Sequence, residues 1–182
     1  HKSERRDARF VVANCARLAP EKVDAELFGS ESLQSNRRIV GLFEQAHKGT
    51  LYFDEICDLP LETQGKIVRA ITEQRFRRVG GNVEVEVDVR VISASSRDLV
   101  DKIGQGALRE DLYYRLAVFP IVIPPLRKRP EDIPVLAQHF LEKFAAEENK
   151  NIIGFEPRAL QALTEHDYPG NVRELENIVS HA

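Results

Sequence analysis

Short apolar runs alternate with amphipathic stretches over the first two-thirds of the chain, and amphipathic stretches alone fill the remainder. Phe10–Asn14 (FVVAN) has the length and composition of a buried strand. Residues 20–28 predict a short helix, with Pro20 in its first turn and Gly29 as its stop. Residues 30–40 are polar and irregular and predict a loop, and residues 42–46 predict a helical turn. The run Thr50-Leu51-Tyr52-Phe53 predicts a second buried strand that delivers Asp54 and Glu55 at its end. Asp58 is placed to cap a helix over residues 59–74, whose apolar side is Leu61, Ile67, Val68 and Ile71. Gly65 inside that helix costs about 1 kcal/mol relative to alanine. Residues 75–88 predict a hairpin turning at Val79-Gly80-Gly81-Asn82, with Val83, Val85 and Val87 alternating with acids. A strand over 89–94, a helix over 107–116 and a last strand over 118–123 complete this part.

Pro124-Pro125 ends the strand series, and from there the periodicity is helical. Ile133, Leu136, Phe140 and Phe144 mark one helix face, Leu160 and Leu163 a second, and a third helix starts at Asn171 after the breaker Pro169-Gly170. The expected architecture is an α/β unit over residues 1–125 followed by a small all-helical unit over 126–182. A chain of 182 residues is long enough for one sizeable core with a small appended unit. A net charge of −3 exerts no general pull toward nucleic acid or an anionic membrane. No apolar run approaches the roughly 20 residues of a membrane helix. Cys15 and Cys57 have no metal or redox spacing and read as small buried residues of a reducing cytoplasm, and the five histidines lack ligand spacing. The chain has no methionine and begins with His1, so the expectation is a piece of a longer protein.

An apolar strand ending in Asp-Glu has a chemical logic in an α/β sheet, because ligands bind beyond the carboxyl ends of parallel strands. There the first carboxylate can hold Mg²⁺ and the second can orient or deprotonate a water. Alone, the pair reads more simply as two solvated acids leading into a turn. It is accompanied, in order, by Glu26-Leu27-Phe28-Gly29, Phe43-Glu44-Gln45-Ala46, Gly49-Thr50-Leu51, Arg78-Val79-Gly80-Gly81 and Val87-Asp88-Val89-Arg90. Further on come Arg109-Glu110-Asp111-Leu112 with Arg115-Leu116, Pro124-Pro125-Leu126-Arg127, Glu131-Asp132-Ile133, and Pro169-Gly170-Asn171-Val172-Arg173-Glu174-Leu175-Glu176-Asn177. From Phe10 to Ala182 this ordered set resembles the central AAA+ ATPase domain of the sigma-54-dependent activators, the NtrC family.

The resemblance implies a partial P-loop NTPase fold, a parallel sheet flanked by helices with a helical lid, and the cofactors ATP and Mg²⁺. By position, Asp54 and Glu55 are similar to the Walker B pair, for Mg²⁺ and for water. Asn14 resembles the switch asparagine that holds the catalytic glutamate; without the family it is simply an Asn ending a strand. Arg109 and Arg115 resemble the arginine-finger pair that reaches the ATP of a neighbouring subunit in a homo-oligomeric ring. A guanidinium suits that task because it stays charged and forks onto phosphate oxygens; the plainer reading is two surface arginines paired with Glu110 and Asp111. Six residues apart on a helix, the two diverge by about 120°, so one would insert and the other support. Arg173 resembles the sensor-2 arginine of the lid, its plainer reading being a pair with Asp167 or Glu176. Ser96, in the pair Ser95-Ser96, stands at the sensor-1 position, where relatives often carry Thr-Asn.

Two departures narrow these expectations. No run of the chain has the form G-x-x-x-x-G-K-[ST] that cradles a triphosphate. In the family that loop and its strand precede the position of His1, and the strand lies between those matching residues 89–94 and 118–123. A gap or a substitute strand is therefore expected there, and no ATP hydrolysis by this chain alone. The interval from Ser30 to Leu42 also lacks the G-A-F-T-G-A that contacts sigma-54. That resembles the NtrX branch and speaks against direct remodelling of sigma-54 RNA polymerase. DNA contact in the family belongs to a separate C-terminal domain, and Arg127-Lys128-Arg129 reads as a solvated linker.

Overall fold

The computed structural model describes residues 3–32 and 37–181, which form two units dividing between Pro120 and Ile121. In the first unit, β1 (Phe10–Asn14), β4 (Thr50–Asp54) and β7 (Arg90–Ala94) make a parallel sheet in the order β1-β4-β7. Between them in sequence come α1 (Val23–Phe28), the short strands β2 (Ser30–Ser32) and β3 (Arg37–Ile39), and α2 (Leu42–Gln45). After β4 come α3 (Leu61–Glu73), β5 (Arg75–Arg77) and β6 (Glu84–Glu86), and α4 (Leu99–Gly104) and α5 (Glu110–Leu116) follow β7. The register sets Val11, Leu51 and Val91 side by side, then Ala13, Phe53 and Ser93. Leu51, Phe53 and Ala13 on this face are buried beneath an aromatic cluster in which Phe43 lies 5.3 Å from Phe28, 5.9 Å from Phe53 and 5.8 Å from Phe76.

The other face carries Val12, Tyr52 and Ile92 in register, with Val12 53% and Ile92 40% exposed. Parallel sheets normally bury both faces. The outer edge of β7 has no ladder partner among the described residues. The strand expected over 118–123 is not formed: Val118, Phe119, Ile121, Val122 and Ile123 are each at least 75% exposed, and no ladder includes them. An apolar run becomes a parallel strand only with a neighbour to bond, and Pro120 has no N–H to offer one. With no strand formed over 118–123, the gap or substitute strand expected between it and β7 has no second side to be measured against.

Three further expectations change. Residues 30–32 and 37–39 are not loop but an antiparallel pair, Ser30 opposite Ile39; residues 33–36 of the expected loop lie outside the described residues. Its root is tight: a Cβ on Gly41 would stand 2.2 Å from the Gly29 nitrogen, and Gly29 has a φ of +79°. Asp58 does not cap α3, which starts after Pro60; it lies in a 3-10 turn over Ile56–Asp58 and pairs with Arg97 at 2.7 Å. Helix α4, capped by the Asp98 carboxylate on the N–H groups of Val100 and Asp101, is absent from the sequence-based expectations.

The second unit packs α6 (Asp132–Glu147), α7 (Pro157–Glu165) and α8 (Asn171–Ser180). Its core is Leu126, Ile133, Ala137, Phe140, Leu141, Tyr168, Leu175 and Val179. Tyr168 is wholly buried and its hydroxyl donates to the Leu163 carbonyl at 2.7 Å. No helix among the described residues is long and apolar enough to cross a membrane.

Gly65 lies in the middle of α3, and a Cβ there would meet nothing closer than 3.6 Å, the Arg109 guanidinium. Gly65→Ala therefore keeps its neighbours in place and removes backbone freedom from the unfolded chain. It is expected to raise stability by about 0.5–1 kcal/mol. Scanning calorimetry checks this, and a lowered Tm would show that the Arg109 side chain needs that space.

Candidate functional site

Strand β4 is the middle strand of the three, so its carboxyl end carries Asp54 and Glu55 to the centre of the sheet's carboxyl edge. Glu55 leaves the strand in the left-handed region, φ 56° and ψ 55°, with its N–H still donating to the Ala94 carbonyl at 3.0 Å. A non-glycine residue held there costs on the order of 1–3 kcal/mol, which commonly marks a functional position. The turn aims the Glu55 side chain at the loop after β7. There the Ser96 N–H donates to Oε1 at 2.9 Å and the Ser95 hydroxyl to Oε2 at 3.3 Å.

Burial pushes the Glu55 carboxyl up. The hydrogen bonds from Ser96 and Ser95 and the charge of Arg97 outweigh it, and the pKa ends below the ordinary glutamate value. The neighbourhood is otherwise hostile to anions: burial first, then the charges of Asp54 and Asp58, push the buried Cys15 thiol up to about 12. Cys15 and Cys57 are both free, and burial is the chief cause of the upward shift of each, so they are held as inert thiols.

Asn14 stands level with Asp54 on the adjacent strand but makes no side-chain hydrogen bond to Glu55. The bond that the resemblance implies is replaced by those from Ser95 and Ser96, because the αL turn swings the carboxylate toward β7 rather than β1. Arg109 is not on a helix with Arg115 but is the extended N-cap of α5, so the helical angle between the two does not apply. Its guanidinium forks onto Asp111, Nε to Oδ1 at 2.9 Å and Nη2 to Oδ2 at 2.8 Å. That hydrogen-bonded charge pair holds the Asp111 carboxyl below its usual range. Arg115 is exposed and unpaired among the described residues. Arg173 lies in the second unit, exposed on α8, and makes neither of the ion pairs weighed for it.

Three side chains have partners that the sequence does not signal. Arg97 pairs with Asp58, and no spacing signals a partnership so distant along the chain. Gln64 is wholly buried and binds three backbone groups on two segments, Leu59 on one and Ala107 and Arg109 on the other. Arg78 is 7% exposed and pairs with Glu44, which also holds Arg38. Ser30 forms a bridge to Val79 beside that pair, joining the β2–β3 hairpin to the β5–β6 turn.

No cluster of three or more His, Cys, Asp or Glu among the described residues forms a protein-only metal cage. Asp54 with Glu55 suits Mg²⁺, which binds through one or two carboxylates together with phosphates and waters. The chain supplies no Gly-rich loop for those phosphates.

Residues 1–122 match the family described as "Sigma-54 interaction domain", and residues 127–182 match "AAA+ ATPase lid domain". The regulatory protein AtoC of Escherichia coli is 44% identical over 187 residues, covering 100% of this chain and 40% of AtoC. The Nif-specific regulatory protein of Herbaspirillum seropedicae is 45% identical over 182 residues, covering 97% of this chain and 33% of that protein. A crystal structure of NtrX from Brucella abortus superposes with a TM-score of 0.90 at 43% identity, covering 98% of this chain and 41% of that one. The same NtrX has been solved with ADP and with ATP. The chain thus spans less than half the length of these relatives. With the parallel sheet, the helical second unit and the Asp54–Glu55 strand end in place, the chain belongs to the sigma-54 interaction domain family of AAA+ proteins.

Proposed function

We propose that this chain is the Mg²⁺-and-water half of the ATP-hydrolysing domain of a cytoplasmic, sigma-54-type transcriptional regulator, with residues 126–182 as its helical lid. The observation that carries the reading is the carboxyl end of β4. Among the described residues no cation pairs with Asp54, and Glu55 is turned out of the strand and accepts hydrogen bonds from the Ser95 hydroxyl and the Ser96 N–H. In this reading Asp54 holds Mg²⁺ and Glu55 positions the attacking water. Ser96 reports on the state of the site, and Asn14 takes the Glu55 carboxylate when Ser95 and Ser96 release it. Arg109 and Arg115 serve the ATP of the next subunit in a ring, and Arg173 serves the chain's own nucleotide. Bound ATP–Mg²⁺ supplies the phosphoanhydride and its charge neutralisation; the residues here orient water and hold charge.

The test is a phosphate-release assay with Mg²⁺ and ATP on this chain and on the full-length protein. The chain alone is expected to show none, because nothing in it cradles a triphosphate. The full-length protein is expected to turn over. Turnover by the chain alone, lost on Glu55→Gln, would overturn the assignment of the phosphate loop to a segment outside it.

The altered interval after Gly29 favours a second reading, a nucleotide-binding oligomerisation module of an NtrX-like response regulator that acts on DNA without remodelling sigma-54 polymerase. Stoichiometric nucleotide binding without turnover by the full-length protein selects it. ATP-analogue-dependent capture of sigma-54 rejects it.

A further inference from the structure

We propose that Gln64 is a positioning residue that ties the candidate finger Arg109 to the segment following Glu55; the inference rests on the ATPase reading above. Gln64 lies in the first turns of α3 with its side chain completely buried. Its Nε2 donates to the Leu59 carbonyl at 2.9 Å and to the Ala107 carbonyl at 3.0 Å, and its Oε1 accepts the Arg109 N–H at 2.9 Å. A primary amide is the uncharged side chain with two donor hydrogens and an acceptor oxygen on one rigid plane, and all three functions are used here.

The three partners belong to the two halves of the proposed chemistry. Leu59 ends the short run that begins at Glu55, and the run is stiff: the Asp58 N–H donates to the Glu55 carbonyl at 2.9 Å and the Leu59 N–H to the Ile56 carbonyl at 3.3 Å. A change in the backbone of Glu55, which sits in a strained αL conformation, is passed through this turn to the Leu59 carbonyl and so to the amide. On the far side, Ala107 and Arg109 frame the entry into α5, the helix that carries Arg115 near its end. The Arg109 guanidinium lies over Gly65, the next residue of α3. One buried amide therefore sets where the finger leaves the subunit relative to that subunit's own catalytic glutamate. Glu55 serves the ATP of its own subunit, whereas Arg109 serves the neighbour's, so Gln64 couples adjacent sites in the ring.

Mixed rings of the full-length protein test this. Gln64→Ala leaves the Leu59 and Ala107 carbonyls and the Arg109 N–H without their partner, and turnover is expected to fall about 10²-fold through misplacement of the finger. KM for ATP should change little, because the finger acts on charge that develops in the transition state. Mixed with Glu55→Gln, which has a dead site but an intact finger, Gln64→Ala subunits regain a served site. Turnover should then rise about tenfold or more above either variant alone. Mixed with Arg109→Ala, which needs a finger from its neighbour, Gln64→Ala should give no recovery. The reverse pattern, rescue by Arg109→Ala and none by Glu55→Gln, would place the role of Gln64 in its own subunit's site and overturn the proposal. So would full turnover by Gln64→Ala. If Gln64→Ala loses its near-ultraviolet circular dichroism, Gln64→Glu carries the same experiment, since it keeps the shape and the acceptor for Arg109 and loses the paired donors. Absence of any effect of Arg109→Ala in the parent would instead count against the ATPase reading itself.

Discussion

Arg78→Ala is expected to remove about 3 kcal/mol of folding stability, the lower end of what breaking a buried ion pair costs. The Arg78 side chain is 6% exposed and that of Glu44 15%. Removing the guanidinium leaves Glu44 half-compensated by the more exposed Arg38, and leaves Glu31, whose Oε2 lies 3.6 Å from Arg78 Nη1, without its cation. Arg38 is the reason for placing the effect at the lower end. The pair also has a pH signature. Burial raises the Glu44 carboxyl, but the hydrogen bonds and charges of Arg78 and Arg38 outweigh burial, and its pKa lies below the ordinary glutamate value. A folded-state pKa below the unfolded one adds stability that is fully present above the unfolded value and disappears as pH falls through the folded value. Wild-type protein should therefore lose this increment on acidification through and below the ordinary carboxylate range, and Arg78→Ala should lose less. Urea unfolding of both proteins at neutral and acidic pH measures the difference. A gap below about 1 kcal/mol at neutral pH, the size of an exposed pair, would mean that water reaches Glu44 freely.

Which parts of this molecule were legible in the sequence follows from what each part depends on. Strands β1, β4 and β7 were legible because each is a short apolar run bounded by polar residues, and burial on one face is a local pattern. Helix α6 was legible because Ile133, Leu136, Phe140 and Phe144 repeat at helical spacing. The run over 118–123 carried the same apolar signal and failed, because a strand is a property of a pair and none of the described residues pairs with it. Helix α4 was missed because none of its residues is buried and its cap, Asp98, is one polar residue among several. At the site, the position of Asp54 and Glu55 at a strand end was legible from the apolar run before them, whereas the role assigned to them came from the ordered blocks around the pair. The partners of Glu55 were not legible, since Asn14 and Ser96 are both near and only the αL turn at Glu55 decides between them. Gln64 reads in sequence as a polar residue on a helix surface; its burial depends on where Leu59 and Ala107 fold.

In the full-length protein, Glu55→Gln is expected to lower ATP turnover by about 10²–10⁴-fold, the range for loss of a positioned acid–base group. The substitution is close to isosteric, and the geometry around it survives. The Ser96 N–H can still bond the amide oxygen, and the Ser95 hydroxyl, now facing an N–H, can rotate to accept. Nucleotide binding should thus be retained while turnover is lost, a kcat effect with KM nearly constant, because the carboxylate acts on water rather than on the nucleotide. The pH profile supplies a second, independent reading. With its pKa below the ordinary value, Glu55 is ionised throughout the neutral range, so the acid limb of kcat should fall below the usual glutamate region. Ser95→Ala removes one of the donors that favour the ionised form and should move that limb upward in pH, while the Ser96 N–H, which Ser95→Ala leaves in place, keeps the shift partial. A Glu55→Gln protein with near-wild-type turnover, or a Ser95→Ala limb that stays in place, would mean that the carboxylate seen against Ser95 and Ser96 is not the group that handles water.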